Sequence, residues 1–138
     1  MKKVLLSVLL AMGLLSASAI AADSLFVNVT SSDNIKGPMA IMFANKGLKK
    51  GLKMTIFLNT EGVKLAVKGF NPPTNAATGK NTHEMLQMFM KNGGKVLVCP
   101  MCLKAQGYDE SDLISGVEVT NEDVTFDTIL KSSKVISF

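Results

Sequence analysis

The sequence predicts an α/β fold, a three-layer sandwich of about five mainly parallel strands flanked by helices. Two observations carry this. Short segments rich in β-branched and apolar residues recur along the chain, and between most of them the apolar residues fall at helical spacing. Strands that alternate with helices pair in parallel through right-handed crossovers, which places helices on both faces of one sheet.

The first twenty-two residues, "MKKVLLSVLLAMGLLSASAIAA", stand apart. Lys2 and Lys3 precede an apolar run, Val4 to Leu15, that is short for a membrane span, and small residues follow it. This is the pattern of a secretory signal cleaved between Ala19 and Asp23, and it leaves 23–138 as a single domain. No cysteine follows directly for lipid attachment, so a soluble product without a membrane contact is expected. The short basic start reads as bacterial, and the expected location is the periplasm.

The mature segment opens with "SLFVNVTSS", a strand closed by a polar cluster. In "NIKGPMAIMFANKGLKKG", Ile35, Met39, Met42 and Phe43 are helically spaced, and Gly47 or Gly51 supplies the stop. Met54 to Leu58 forms the second strand, and a loop or short helix is expected near Val63 to Val67. "FNPPTNAATGKN" is a Pro/Gly/Asn-rich connection of the kind that forms a mobile loop. Asn81 and Glu84 are spaced as a capping box, opening a helix with Met85, Leu86, Met88 and Phe89 that ends at Gly93 and Gly94. "KVLVC" is a buried strand. An acidic turn with Asp109, Glu110 and Asp112 precedes a brief strand, "GVEV". A second capping box, Thr120 with Asp123, is expected to start the helix of Phe126, Ile129 and Leu130, and "KVISF" closes the chain as a strand.

Charge excludes one class of partner. The formal charge is +4, falling to +2 without Lys2 and Lys3, and every basic residue is a dispersed lysine. Arginine forks for phosphate and base recognition are absent, so no nucleic-acid partner is expected.

The chemistry concentrates in "VLVCPMCLKAQG", where Cys99 and Cys102 are the chain's two cysteines. Cys99 falls at the carboxyl end of a predicted strand, where α/β sheets bind ligands. A thiol at a helix start suits thiol exchange, because free backbone N–H groups and the helix dipole favour the thiolate. Thioredoxin-like proteins instead carry this motif after their first strand and need a later proline, and none follows Pro100. Closed zinc coordination needs about four ligands, and His83 is the only histidine. Soft Cu(I) would accept Cys99, Cys102 and the thioether of Met101. Met39, Met42, Met85 and Met88 read as helix-spaced core filler, His83 as a half-exposed residue of a capping turn, and the acidic trio as a solvated turn. Two inert, buried thiols remain the bland alternative.

At this stretch the sequence resembles the DsrE/DsrF-like family of sulfur-relay proteins, whose relay members end a strand in a cysteine and close the next helical turn with a basic residue and a glycine. Cys99 and Gly107 keep that spacing. The "GLKMTIFLNTEGVKLAVKG" block with its Gly-Val-x-Leu turn, and "DLISGVEV" after the cysteines, are similar as well, so the resemblance runs from Leu25 to Phe138. It implies a persulfide mechanism, in which a reactive Cys99 of lowered pKa accepts sulfane sulfur and passes it to the thiol of a partner protein. It also implies self-association. No cofactor is expected. Three features depart from the pattern: the signal segment, Gln106 in place of the basic residue, and Cys102, which adds a resolving thiol. The reading is a periplasmic sulfur carrier or thiol exchanger acting through Cys99 and Cys102. The alternative is a non-enzymatic binding module for a soft metal ion or a partner protein.

Overall fold

A computed structural model describes residues 23–70 and 74–138. The N-terminal segment expected to be a secretory signal and the two prolines of the Pro/Gly/Asn-rich connection lie outside the described residues. Five strands form one all-parallel sheet: β1 (Ser24–Val29), β2 (Lys53–Leu58), β3 (Lys95–Val98), β4 (Glu118–Val119) and β5 (Lys134–Ser137). Their order across the sheet is β4-β3-β2-β1-β5. The helices are α1 (Lys36–Lys49), α2 (Thr82–Lys91), α3 (Pro100–Ala105) and α4 (Glu122–Leu130).

That order fixes the layers. From β1 to β4 the chain steps in one direction, so right-handed crossovers put α1, α2 and α3 on one face. The final crossover runs back across the whole sheet to β5, which puts α4 on the other. Side chains alternate accordingly: Val27, Ile56 and Val98 belong to the large core under the first three helices, whereas Phe26 and Leu97 are buried outside that cluster, on the α4 face. The three-layer α/β architecture expected from the sequence is the one observed.

The large core is completed by Ile41, Leu65, Met85, Leu86 and Phe89, all essentially inaccessible to solvent. Each such side chain contributes roughly 1.5–3 kcal/mol on burial. A 3₁₀ turn, Thr60–Ala66, brings Val63, Leu65 and Ala66 into this core after β2. Gly62 makes that possible, since a Cβ there would lie 2.2 Å from the carbonyl oxygen of Val29.

The face of α1 differs from expectation. Ile35, Met39 and Phe43 are exposed, at 70, 50 and 39% of their full surface, and the buried stripe is Gly37, Pro38, Ala40, Ile41, Ala44, Asn45 and Gly47. The helical period was legible, but apart from Ile41 the small residues rather than the large ones face inward. At Gly37 and Gly47 even a Cβ would meet Leu65 at 2.9 Å and Met54 at 2.5 Å, so larger side chains do not fit there. Of the four methionines expected to fill the core, Met85 does so, Met42 and Met88 are half-buried, and Met39 is exposed. The helix stop is Gly51, at φ +83°, and Gly47 is packed inside the helix against Met54. Asp33 starts the helix, accepting the N–H bonds of Ile35 and Lys36 at 2.8 and 2.9 Å, and those bonds hold its carboxyl below the usual range.

The capping box of α2 forms as the spacing predicts. Asn81 Oδ1 accepts from Glu84 N at 3.0 Å, and Glu84 Oε2 accepts from Asn81 N at 2.9 Å. At α4 the cap lies one residue beyond the expected position. Thr120 N–H still donates to Val98 O at 3.0 Å, which keeps Thr120 in line with the sheet. Asn121 therefore caps the helix, accepting from Val124 N at 2.9 Å, and Thr120 with Asp123 makes no capping box.

α4 itself has no buried residue, and Phe126 and Leu130 are 64 and 80% exposed. Its predicted apolar stripe is present but is not sealed against the sheet.

Candidate functional site

The site begins with the way β3 ends. Cys99 N–H donates to Leu58 O at 3.0 Å, which ties it to the carboxyl end of β2. Its backbone is extended, at φ −67° and ψ 116°, and Pro100 then takes the first position of α3, where its missing N–H costs nothing. Cys99 is thus the cap residue of α3. Its carbonyl accepts from Leu103 N at 3.0 Å, and its Sγ accepts from Cys102 N at 3.3 Å. Leu103 is buried and anchors the turn, and Cys102 packs its side chain against the large core. The turn closes at Gly107, at φ +80°, where Tyr108 N donates back to Leu103 O at 3.1 Å.

Both cysteines are free thiols and half-buried. Cys99 borders a cleft of about 190 Å³ between the start of α3 and the start of α4. Phe57, on the α4 face of β2, belongs to its wall, together with Pro100, Met101, Thr125, Phe126 and Glu122. Met101 is 75% exposed at the rim.

The electrostatics overturn one expectation. A helix start was expected to lower the thiol pKa of Cys99, but it is raised. Burial is the largest cause, followed by hydrogen bonding with the Cys102 side chain, and these outweigh the backbone N–H groups of Cys102 and Met101 that favour the thiolate. Cys99 is consequently held as a protonated thiol at neutral pH. The rate of its alkylation by iodoacetamide is expected to keep climbing above the pH at which a free cysteine levels off, and Cys102→Ser is expected to shift the profile downward. A plateau already reached near neutrality would contradict this.

The other residues singled out in the sequence lie elsewhere. His83 occupies the first turn of α2, where burial lowers its pKa and the Val67 carbonyl raises it less, and it does not border the cleft. Asp109, Glu110 and Asp112 form a solvated 3₁₀ turn. Asp109 accepts from Ser111 N and Oγ at 2.8 and 2.6 Å, which lowers its pKa. The carboxylate that shares the cleft with Cys99 is instead that of Glu122, which the sequence did not single out. Among the described residues no group of three or more His, Cys, Asp or Glu side chains is placed to hold a metal ion. Nor is any helix among them long and apolar enough to cross a membrane.

Residues 23–138 match the sequence profile of the DsrE/DsrF-like family. The chain belongs to that family. An uncharacterised protein of Methanopyrus kandleri is 35% identical over 99 residues, covering 72% of this chain and 78% of its own. An uncharacterised protein of Methanocaldococcus jannaschii is 33% identical over 99 residues, covering 72% and 83%. Among solved structures, the ychN protein from E. coli superposes with a TM-score of 0.71 at 21% identity, over 85% of this chain and 99% of that one. A protein of unknown function from Methanobacterium thermoautotrophicum gives 0.66 at 14% identity, over 84% and 99%. These two likenesses establish the fold, and the family is one generally associated with sulfur relay.

Proposed function

We propose that this DsrE/DsrF-like protein is a periplasmic carrier of sulfane sulfur. Cys99 accepts the sulfur, Cys102 resolves the persulfide, and a thiol-bearing partner protein receives the sulfur. The supporting observation is the position of Cys99. It caps a helix at the carboxyl end of the sheet, borders a cleft, and has a second thiol one turn away.

The raised thiol pKa suits carriage better than rapid exchange. A thiol of high pKa is a strong nucleophile once ionised and a poor leaving group, so a Cys99 persulfide loses its outer sulfur slowly. Discharge follows one of two routes. An acceptor thiolate attacks the outer sulfur and expels the Cys99 thiolate, or the Cys102 thiolate attacks Cys99 Sγ, forming the Cys99–Cys102 disulfide and releasing hydrosulfide. Secretion is supported by the basic and apolar segment that precedes the family match at residue 23. Self-association through a second copy is supported by the uncovered apolar side chains of α4, and sedimentation at micromolar concentration tests it, since monomer alone would remove it.

Reduced protein incubated with a small alkyl persulfide is expected to gain the mass of one sulfur atom on Cys99 and to lose it on reduction. An unchanged mass would refute the carrier. A second reading is favoured by the exposed Met101 thioether between the two thiols, which together make a soft donor set for Cu(I). It requires both cysteines, whereas sulfur uptake requires Cys99 alone.

A further inference from the structure

The cleft beside Cys99 differs from the rest of this lysine-rich surface. Among the described residues no lysine or histidine borders it, and the one formal charge they bring to it is the carboxylate of Glu122. Most of its lining is apolar, from Phe57, Pro100, Met101 and Phe126, with the hydroxyls of Thr120 and Thr125 engaged with each other at 3.2 Å. Two helix starts meet here and would ordinarily attract an anion. That attraction is reduced, although the Met101 N–H still faces Cys99. Pro100 has no N–H, Cys102 N–H is taken by Cys99 Sγ, Val124 N–H is taken by Asn121, and α4 carries Glu122 and Asp123 in its first turn. The nearest cation along α3, Lys104, is in its last turn, and Gln106 beyond it is neutral.

Resting on the sulfur-carrier reading, we infer that the cleft selects its donor by charge, accepting a neutral, apolar sulfane-sulfur donor, the protonated form R–S–SH of an alkyl persulfide, and rejecting anionic donors such as thiosulfate, with Glu122 as the specificity-determining residue. The transfer is balanced without an oxidant. The Cys99 thiolate attacks the outer sulfur of R–S–SH, a bond forms between Sγ and that sulfur, the donor's S–S bond breaks, and R–S⁻ leaves with the electron pair. A small apolar R group fits against Phe57 and Phe126. An anionic donor brings its charge toward Glu122, an exposed carboxylate on the wall of the cleft, and the repulsion is strongest at low ionic strength.

Charge-matched methanethiosulfonates test this on the Cys102→Ser protein, in which Cys99 is the reporting thiol. The reagents are the neutral methyl, the cationic trimethylammonioethyl and the anionic sulfonatoethyl forms, each rate divided by that of a small free thiol. The cationic-to-anionic ratio is expected to exceed that of the free thiol by about fivefold, with the methyl reagent also outpacing the anionic one. Glu122→Gln should reduce the ratio by about threefold, whereas Asp123→Asn, outside the cleft, should change it less. A ratio equal to the free thiol's, or one that Glu122→Gln leaves unchanged, overturns the inference. Charge preference without sulfur retention from an alkyl persulfide leaves the selectivity standing and removes the carrier role. No reaction with any of the three reagents overturns both.

Discussion

Cys99→Ser is expected to abolish sulfur uptake, lowering it by at least ~100-fold, while the protein stays folded. The side chain is half-buried and its sulfur accepts one N–H bond, from Cys102, which a serine oxygen can also accept. The cap is therefore kept and the nucleophile is removed. Cys102→Ser separates the two thiols. It removes a neighbour that raises the Cys99 pKa and also the internal attacker that would expel hydrosulfide, so the persulfide should form and persist longer. Intact mass after treatment with a small alkyl persulfide reads both results. Uptake by Cys99→Ser equal to that of the unaltered protein would move the acceptor role to Cys102.

Gly62→Ala is expected to destabilise the fold by about 3 kcal/mol, at the upper end of overpacking costs. The added methyl would meet the Val29 carbonyl oxygen at 2.2 Å, and backbone cannot swing aside as a flexible side chain can. The turn cannot retreat either. Gly62 N–H is bound to Thr30 O and Asn59 O, at 3.1 and 2.8 Å, and the buried Val63, Leu65 and Ala66 follow directly. For a domain of this size the melting temperature should fall by roughly 10 °C or more. Gly69→Ala, with open space at its Cβ position, serves as the control and should be near neutral. Equal melting temperatures for the two variants would show that the β1 end is not held as described.

The signals legible in the sequence were local ones. Asn81 and Glu84 satisfy each other three residues apart, and the "KVLVC" run placed Cys99 at a strand end before any pairing was known. What was not legible depended on tertiary packing. Spacing alone assigns α1 a helical period but not a face, and the decision went to glycine and alanine because they permit close approach to the sheet. The cap of α4 moved from Thr120 to Asn121 because Thr120 is still hydrogen-bonded to β3, a contact between residues far apart in the chain. The cleft is hidden for the same reason. Phe57, Cys99 and Phe126 come from three separate segments, and only the reversal of strand order that carries the chain back to β5 brings α4 over them. The thiol pKa went the other way from expectation because burial and Cys102, both products of packing, exceed the helix-start effect.

The most direct measurement is the intact mass of the protein purified from its native source, before and after reductant, with alkylation to count free thiols. The carrier account predicts a population heavier by one sulfur atom that reductant removes, with the extra mass mapping to Cys99. A mass lighter by two hydrogens, with no free thiol and no sulfur adduct under any loading, would contradict it and assign Cys99 and Cys102 to a standing disulfide.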